Sequence, residues 1–246
     1  MIIAAVSDIH SPRYFGDFLH ALDGLDTLER KPQLMLIAGD MVNRGGTDEY
    51  ERVYNAMFGK ITCPIVACFG NNEYQEIRET LKTRFKNVHF LDDQSTNVNI
   101  HLPGAARDLV VGVIGTTGSL ENPTPWQRAN VQGIERIYAN RVALVERQLI
   151  TMRADYRILL MHYAPTYKTL EGENPSFYGS MGWNVYENVL IRHKPDLVLH
   201  GHSHAGSKHA WVDSVPVFNA SIQVNAGKIL IIDTDSLKPG LTKFVQ

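Results

Sequence analysis

The chain has 246 residues, 44% of them hydrophobic and 20% charged, with a formal net charge of −2 at pH 7. That length buries a full core and fits one large domain or two small ones, of which a single domain over residues 1–246 is the expectation. The near-neutral balance, with no basic run, argues against a nucleic-acid partner, and no stretch approaches the roughly 18 apolar residues of a membrane span.

In chain order, the patterning predicts a strand at 2–7, a helix at 14–29 and a strand at 34–38. A helix at 47–59, a strand at 64–69 and a helix at 74–85 complete a βαβ alternation of the parallel-sheet type. Strands at 87–91, 97–102 and 108–114 follow, then a long helix at 134–153, a strand at 157–162, a helix at 183–192 and a strand at 196–200. Strands at 208–213, 215–219 and 228–234 are expected to close the chain as a meander. Segments 119–133 and 163–182, marked by Pro and Gly, read as long loops, a class more often functional than idle. The second carries Tyr163, Tyr167, Phe177 and Tyr178 and is expected to cover a substrate. The start, from Met1 to Asp8, lacks a basic n-region and reads as a core strand rather than a signal peptide. A cytoplasmic location is the resulting expectation. Cys63 and Cys68 flank one strand on opposite faces, roughly 16 Å apart along extended chain, and are expected to remain reduced.

The apolar runs share one property. Ile2–Val6 leads into Asp8 and His10, Leu34–Ala38 into Gly39-Asp40, Ile65–Phe69 into Gly70-Asn71, and Ile158–Met161 into His162. Leu197–Leu199 leads through His200 into Gly201-His202-Ser203-His204. Val215–Phe218 ends on Asn219, a weaker ligand type left out of the site. Ligand sites of open α/β sheets lie beyond the carboxyl ends of their strands, so these side chains are expected to converge. Asp8 and His10, two residues apart, would share one face of extended chain.

Two aspartates, one asparagine and four histidines exceed the four ligands that close a structural zinc site. They suit two divalent ions sharing Asp40, whose carboxylate has two oxygens. A pair of ions roughly 3.5–4 Å apart ionises a shared water to the attacking hydroxide and neutralises the phosphate oxygens of an in-line displacement. All-nitrogen-and-oxygen ligation admits manganese, iron, zinc, cobalt or magnesium. Taken singly, each motif is common in turns or cores; their succession, each after a strand, carries the argument.

Asp8-x-His10, Gly39-Asp40, Gly70-Asn71, His162 and Gly201-His202-x-His204 together resemble the five signature blocks of the calcineurin-like metallophosphoesterase superfamily. The resemblance implies an α/β fold, a four-layer α/β/β/α sandwich of two mixed sheets flanked by helices. It also implies that Asp8, His10, Asp40 and His204 hold one metal and that Asp40, Asn71, His162 and His202 hold the other. One position departs. The superfamily usually has, after the Asn of the third block, a histidine that contacts the scissile phosphate and protonates the leaving group. Here that position is Asn72, which donates hydrogen bonds but carries no titratable proton. Glu73, which would orient that histidine, is left without its partner on this reading.

Asp40 and Asn72 are therefore the expected catalytic residues, and Asn72, Arg44 and Tyr163 the expected substrate contacts. For Arg44 a solvated loop arginine is the other reading, and for Tyr163 it is packing. His200 shares the strand parity of His202 and is a candidate support for it, or a packed core residue. The expected activity is binuclear phosphodiester hydrolysis on small, cyclic-nucleotide-like diesters, since a diester needs fewer cationic clamps than a monoester. A nuclease of the same superfamily is one alternative. A non-catalytic scaffold resembling the retromer subunit, which also lacks that histidine, is the other. Neither a membrane nor a nucleic acid is an expected partner; self-association into a homo-oligomer is compatible with the sequence.

Overall fold

Strands β1 (Ile2–Val6), β2 (Leu34–Ala38) and β3 (Ile65–Cys68) are buried at every position. Both faces of their sheet are covered, which is why these runs are continuously apolar instead of alternating. The computed structural model describes residues 1–237. β4 (Val88–Leu91) extends the parallel set, and with β11 (Leu230–Asp233) the first sheet has the order β11-β1-β2-β3-β4. The second sheet has the order β5-β6-β7-β8-β10-β9, built from Gln94–Ile100, Leu109–Thr116, Tyr156–Met161, Leu197–His200, Val215–Asn219 and the edge strand His209–Val212.

Alternate residues of each strand serve different layers. Ala4, Val6, Met35 and Ile37 face outward onto α1 (Phe15–Leu25), α2 (Thr47–Met57) and α3 (Gln75–Arg84), meeting Phe18, Leu22, Tyr50, Val53 and Leu81. Ile3, Ala5, Leu34, Leu36 and Val66 face inward and pack on Val111, Val113, Ile158, Leu160 and Leu199 of the second sheet. That sheet's far face takes Val145 and Leu149 of α5 (Ile134–Thr151) and Val189 and Leu190 of α6 (Tyr186–His193). The result is the α/β/β/α sandwich of two mixed sheets.

The structure departs from expectation at three places. The last strand, β11 (Leu230–Asp233), does not continue a meander. It crosses to the first sheet and pairs antiparallel with β1, Ile2 opposite Asp233 and Ala5 opposite Leu230. Pairing there covers the hydrogen-bonding edge that β1 would otherwise leave open. The first helix stops at Leu25 instead of running to 29, because Lys31 Nζ donates to the carbonyls of Leu25 and Asp26 and closes its end. The 119–133 segment contains a short helix, α4 (Pro125–Asn130), started by a capping box between Thr124 and Gln127 with Pro125 in its first turn. Those residues are a readable start signal that the loop reading passed over.

Candidate metal centre

At the carboxyl edge of both sheets the chain turns sharply. The β1 and β2 exits stay paired, Asp8 N–H to Gly39 O at 3.1 Å, His10 N–H to Asp40 O at 3.0 Å and Ser11 N–H to Met41 O at 3.0 Å. Asp8, His10, Asp40 and His202 all have left-handed backbones, with φ of 58°, 44°, 52° and 68°. Such conformations cost non-glycine residues on the order of 1–3 kcal/mol each and collect where function requires them. Asp8 and His10 therefore converge through two tight turns beyond the end of β1, not by sharing a face of extended strand. Close approach of the turns explains two glycines. A Cβ on Gly70 would lie 2.1 Å from Asp40 Oδ1, and one on Gly201 would lie 2.6 Å from Asp8 Oδ2.

Two groups of ligand atoms result, Asp8 with His10 and His204, and Asp40 with His162 and His202; within each group the atoms lie within 4.8 Å of one another. Asp8 Oδ2 accepts from Ser7 Oγ at 2.5 Å and from the His202 N–H at 2.9 Å. That leaves Oδ1 facing His204 Nε2 at 3.3 Å and His10 Nε2 at 3.7 Å. Asp40 Oδ2 stands 3.8 Å from His10 Nε2 and 3.4 Å from His162 Nε2, so this one oxygen reaches both groups. His162 Nδ1–H donates to the Ala38 carbonyl at 2.9 Å, which turns Nε2 inward to face Asn71 Oδ1 at 3.0 Å. The His10 and His204 Nε2 atoms point at each other across 3.2 Å. Converging imidazole nitrogens and carboxylate oxygens, with no lysine or arginine in either group, are the donor set of a divalent ion, and the residues fit two of them.

The charges are strongly coupled. Burial opposes ionisation of Asp40, yet His162 and His10 hold its carboxyl well below the usual range. Burial likewise opposes a charge on His162, but the Asp40 and Asp8 carboxylates outweigh it and raise the ring to about 9. Burial and the neighbouring His162 push His202 down to about 4.

Several supporting residues emerge only in three dimensions. Glu73 is not left without partners. Buried, it accepts the backbone N–H groups of Asp40, Met41 and Gly70 at 2.8 Å each and of Val42 at 3.3 Å, tying the β2 and β3 turns together. His200 is fully buried; its Nδ1–H donates to the Gly201 carbonyl at 2.7 Å, and Nε2 meets Thr169 Oγ1 at 2.8 Å. Burial lowers its pKa to about 4, so it is a neutral, packed core residue. Asn219, left out on ligand type, donates to the Ser203 carbonyl at 2.9 Å beneath the histidine turn. Gln223 Nε2 donates to the Asp8 carbonyl at 2.8 Å. The strand-end pattern marks Asn219 but not this role, and no local pattern marks Gln223.

Arg44 is exposed on the turn after Asp40. Tyr163 is buried, with its ring edge-on to His202 at 4.9 Å and tilted against His162 at 5.4 Å. It forms the wall behind these two rings. The 163–182 segment divides in two. Its first half is anchored: Ser207 N–H donates to Thr169 O at 3.0 Å, and Glu173 accepts from Ser203 Oγ at 2.9 Å and from the Ala205 N–H at 2.8 Å. Its outer half, the 3-10 turn Pro175–Ser180, leaves Phe177 60% exposed.

Solved structures share this architecture. The phosphopantetheinyl hydrolase of Mycobacterium tuberculosis aligns over 92% of this chain and 90% of its own at a TM-score of 0.61 and 14% identity. GAP50, the anchor in the inner membrane complex of Plasmodium, aligns over 91% and 72% at 0.60 and 15%. A dimetal phosphatase from Danio rerio aligns over 89% and 86% at 0.53 and 12%. At these identities the likeness is one of fold. No curated protein sequence matches the chain. The family model described as calcineurin-like phosphoesterase matches residues 1–206, which include both ligand groups, and the chain belongs to that family of two-metal phosphoesterases.

Proposed function

We propose that the protein is a phosphodiesterase acting on small, nucleotide-like diesters, with Asp8, His10, Asp40 and His204 holding one divalent ion and Asp40, Asn71, His162 and His202 the other. The observation that carries the reading is the position of Asp40 Oδ2, within 3.8 Å of His10 Nε2 and 3.4 Å of His162 Nε2. When bound, the two ions supply positive charge at the phosphoryl oxygens and acidify water at neutral pH. The protein's own groups do the rest. Asp8 and Asp40 set the charge of the site, and the Nδ1–H bond to Ala38 keeps His162 turned toward its ligand position. Arg44, exposed on the turn after Asp40, binds a phosphate oxygen, while buried Tyr163 contributes by confining His202. No side chain in the position of the usual histidine supplies a proton to the leaving group, which favours esters whose leaving groups depart unaided.

The preference for diesters rests on a modest supply of cations. Arg13 and Arg44 are the arginines on the ligand-bearing turns, and neither lies on the turns after β3, β7 or β8. The free cysteines Cys63 and Cys68 agree with a cytoplasmic setting. The test compares bis-(p-nitrophenyl) phosphate with p-nitrophenyl phosphate, which share a leaving group, on manganese-loaded protein. The expected kcat/KM is at least about tenfold higher for the diester. A higher value for the monoester would overturn the diesterase reading, and hydrolysis of neither would favour the scaffold alternative.

A further inference from the structure

Asn72 stands where a proton-donating histidine is usual, and its hydrogen bonds indicate a different use of the position. Its backbone N–H donates to Asp40 Oδ1 at 2.7 Å, and its side-chain Nδ2–H donates to Asp40 Oδ2 at 2.7 Å. At the other end of the same amide, Oδ1 accepts the Arg44 N–H at 3.2 Å, and the Asn72 carbonyl accepts the Gly45 N–H at 2.8 Å. One residue thus grips both oxygens of the carboxylate shared by the two ligand groups and two successive N–H groups of the turn that carries Arg44.

That turn needs holding. Arg44 has a φ of 52°, a left-handed conformation that strains a non-glycine residue. Beside it, Gly45 has a φ of 69° and packs under the Tyr74 ring so closely that a Cβ would lie 2.8 Å from the ring edge. Residues 72 and 74 together clamp the turn from the β3 side. An amide also presents the same donor and acceptor at every pH, whereas an imidazole changes its donor count as it titrates.

We propose that Asn72 is a positioning residue that locks the bridging carboxylate Asp40 and the Arg44 turn into one unit, so that the phosphate-binding arginine keeps a fixed place relative to both ions. The proposal rests on the phosphoesterase reading for the roles of Asp40 and Arg44. It requires that removing Asn72 weaken metal binding through Asp40 and anion binding through Arg44, without Asn72 touching the phosphate.

A double-mutant cycle separates these routes. Inorganic phosphate is titrated calorimetrically into manganese-loaded native protein, Asn72→Ala, Arg44→Ala and the double variant. Each single change should weaken phosphate binding about tenfold, and the double variant should lose about tenfold as well, because both changes remove one arrangement. Manganese affinity, measured without phosphate, should fall about 10–100-fold in Asn72→Ala, the size usual for partners that orient a metal ligand. A multiplied loss near a hundredfold in the double variant would show that Asn72 binds phosphate independently, and an unchanged manganese affinity would show that it does not hold Asp40; either overturns the proposal. Should Asn72→Ala fail to fold, Asn72→Gln keeps the amide one methylene out of place and carries the same comparison. Failure of the native protein to hydrolyse either nitrophenyl ester would refute the catalytic reading alone, since manganese affinity still decides the role of Asn72.

Discussion

Asp40 is the residue on which the site turns, because its Oδ2 reaches both ligand groups while Asn72 and the Glu73-bound backbone hold it still. Asp40→Ala should abolish binding of both ions and all hydrolysis, with metal content per chain as the measurement; one tightly held ion with full activity would refute the shared-ligand arrangement. His162 adds a pH signature. Its folded pKa of about 9 lies above the usual 6.5, so in the metal-free protein its stabilising contribution is fully present below pH 6.5 and is lost as pH rises through about 9. An ion needs the Nε2 lone pair, so binding at pH 7 should release about one proton from this ring, falling toward none above pH 9. Calorimetry in two buffers of different ionisation enthalpy reads that number. No release at pH 7 would mean that the ring is already neutral.

Among the elements, the anchored half of the 163–182 segment supports the ligand turns directly. Thr169 and Glu173 hold the turn that presents His202 and His204, and Gly206 packs so tightly there that a Cβ would lie 2.2 Å from the Thr169 carbonyl. Glu173→Ala removes the acceptor of both the Ser203 hydroxyl and the Ala205 N–H. Metal affinity should then drop about 10–100-fold. Phe177→Ala, on the outer turn, should leave metal affinity unchanged while raising KM for a nucleotide diester. Equal metal losses in both variants would show that the segment acts as one undivided structural piece.

At the scale of the whole molecule, two sheets must lie face to face for the site to exist. Asp8, His10, Asp40 and Asn71 come from the first sheet, and His162, His202 and His204 from the second. Ions that bridge the sheets should therefore stabilise the entire fold. Each site filled at about 100 times its Kd adds about 2.7 kcal/mol. For a chain of this size that corresponds to a rise in Tm of several degrees per ion, reversed by a chelator. A Tm indifferent to manganese and chelator would contradict a site that spans both sheets. No helix among the described residues is long and apolar enough to cross a membrane.

The sequence alone determined the strands and the side chains that end them. Buried strands must be apolar throughout, and functional groups can appear only where those runs stop, so Asp8, Asp40, His162 and His202 were legible as breaks in a pattern. Helix and strand order was legible for the same reason, through periodicity. Tertiary structure decided what no local pattern encodes. It moved β11 to the edge of β1, bent Asp8 and His10 into left-handed turns, and gave Glu73 four backbone N–H groups in place of a histidine. It also set Asn219 and Gln223 beneath the ligand turns and placed Asn72 against Asp40 and Arg44. Most of these partners lie tens to about two hundred residues apart in the chain, and a hydrogen bond between them depends on which strand ends the fold sets side by side, not on the identity of either residue's neighbours in sequence.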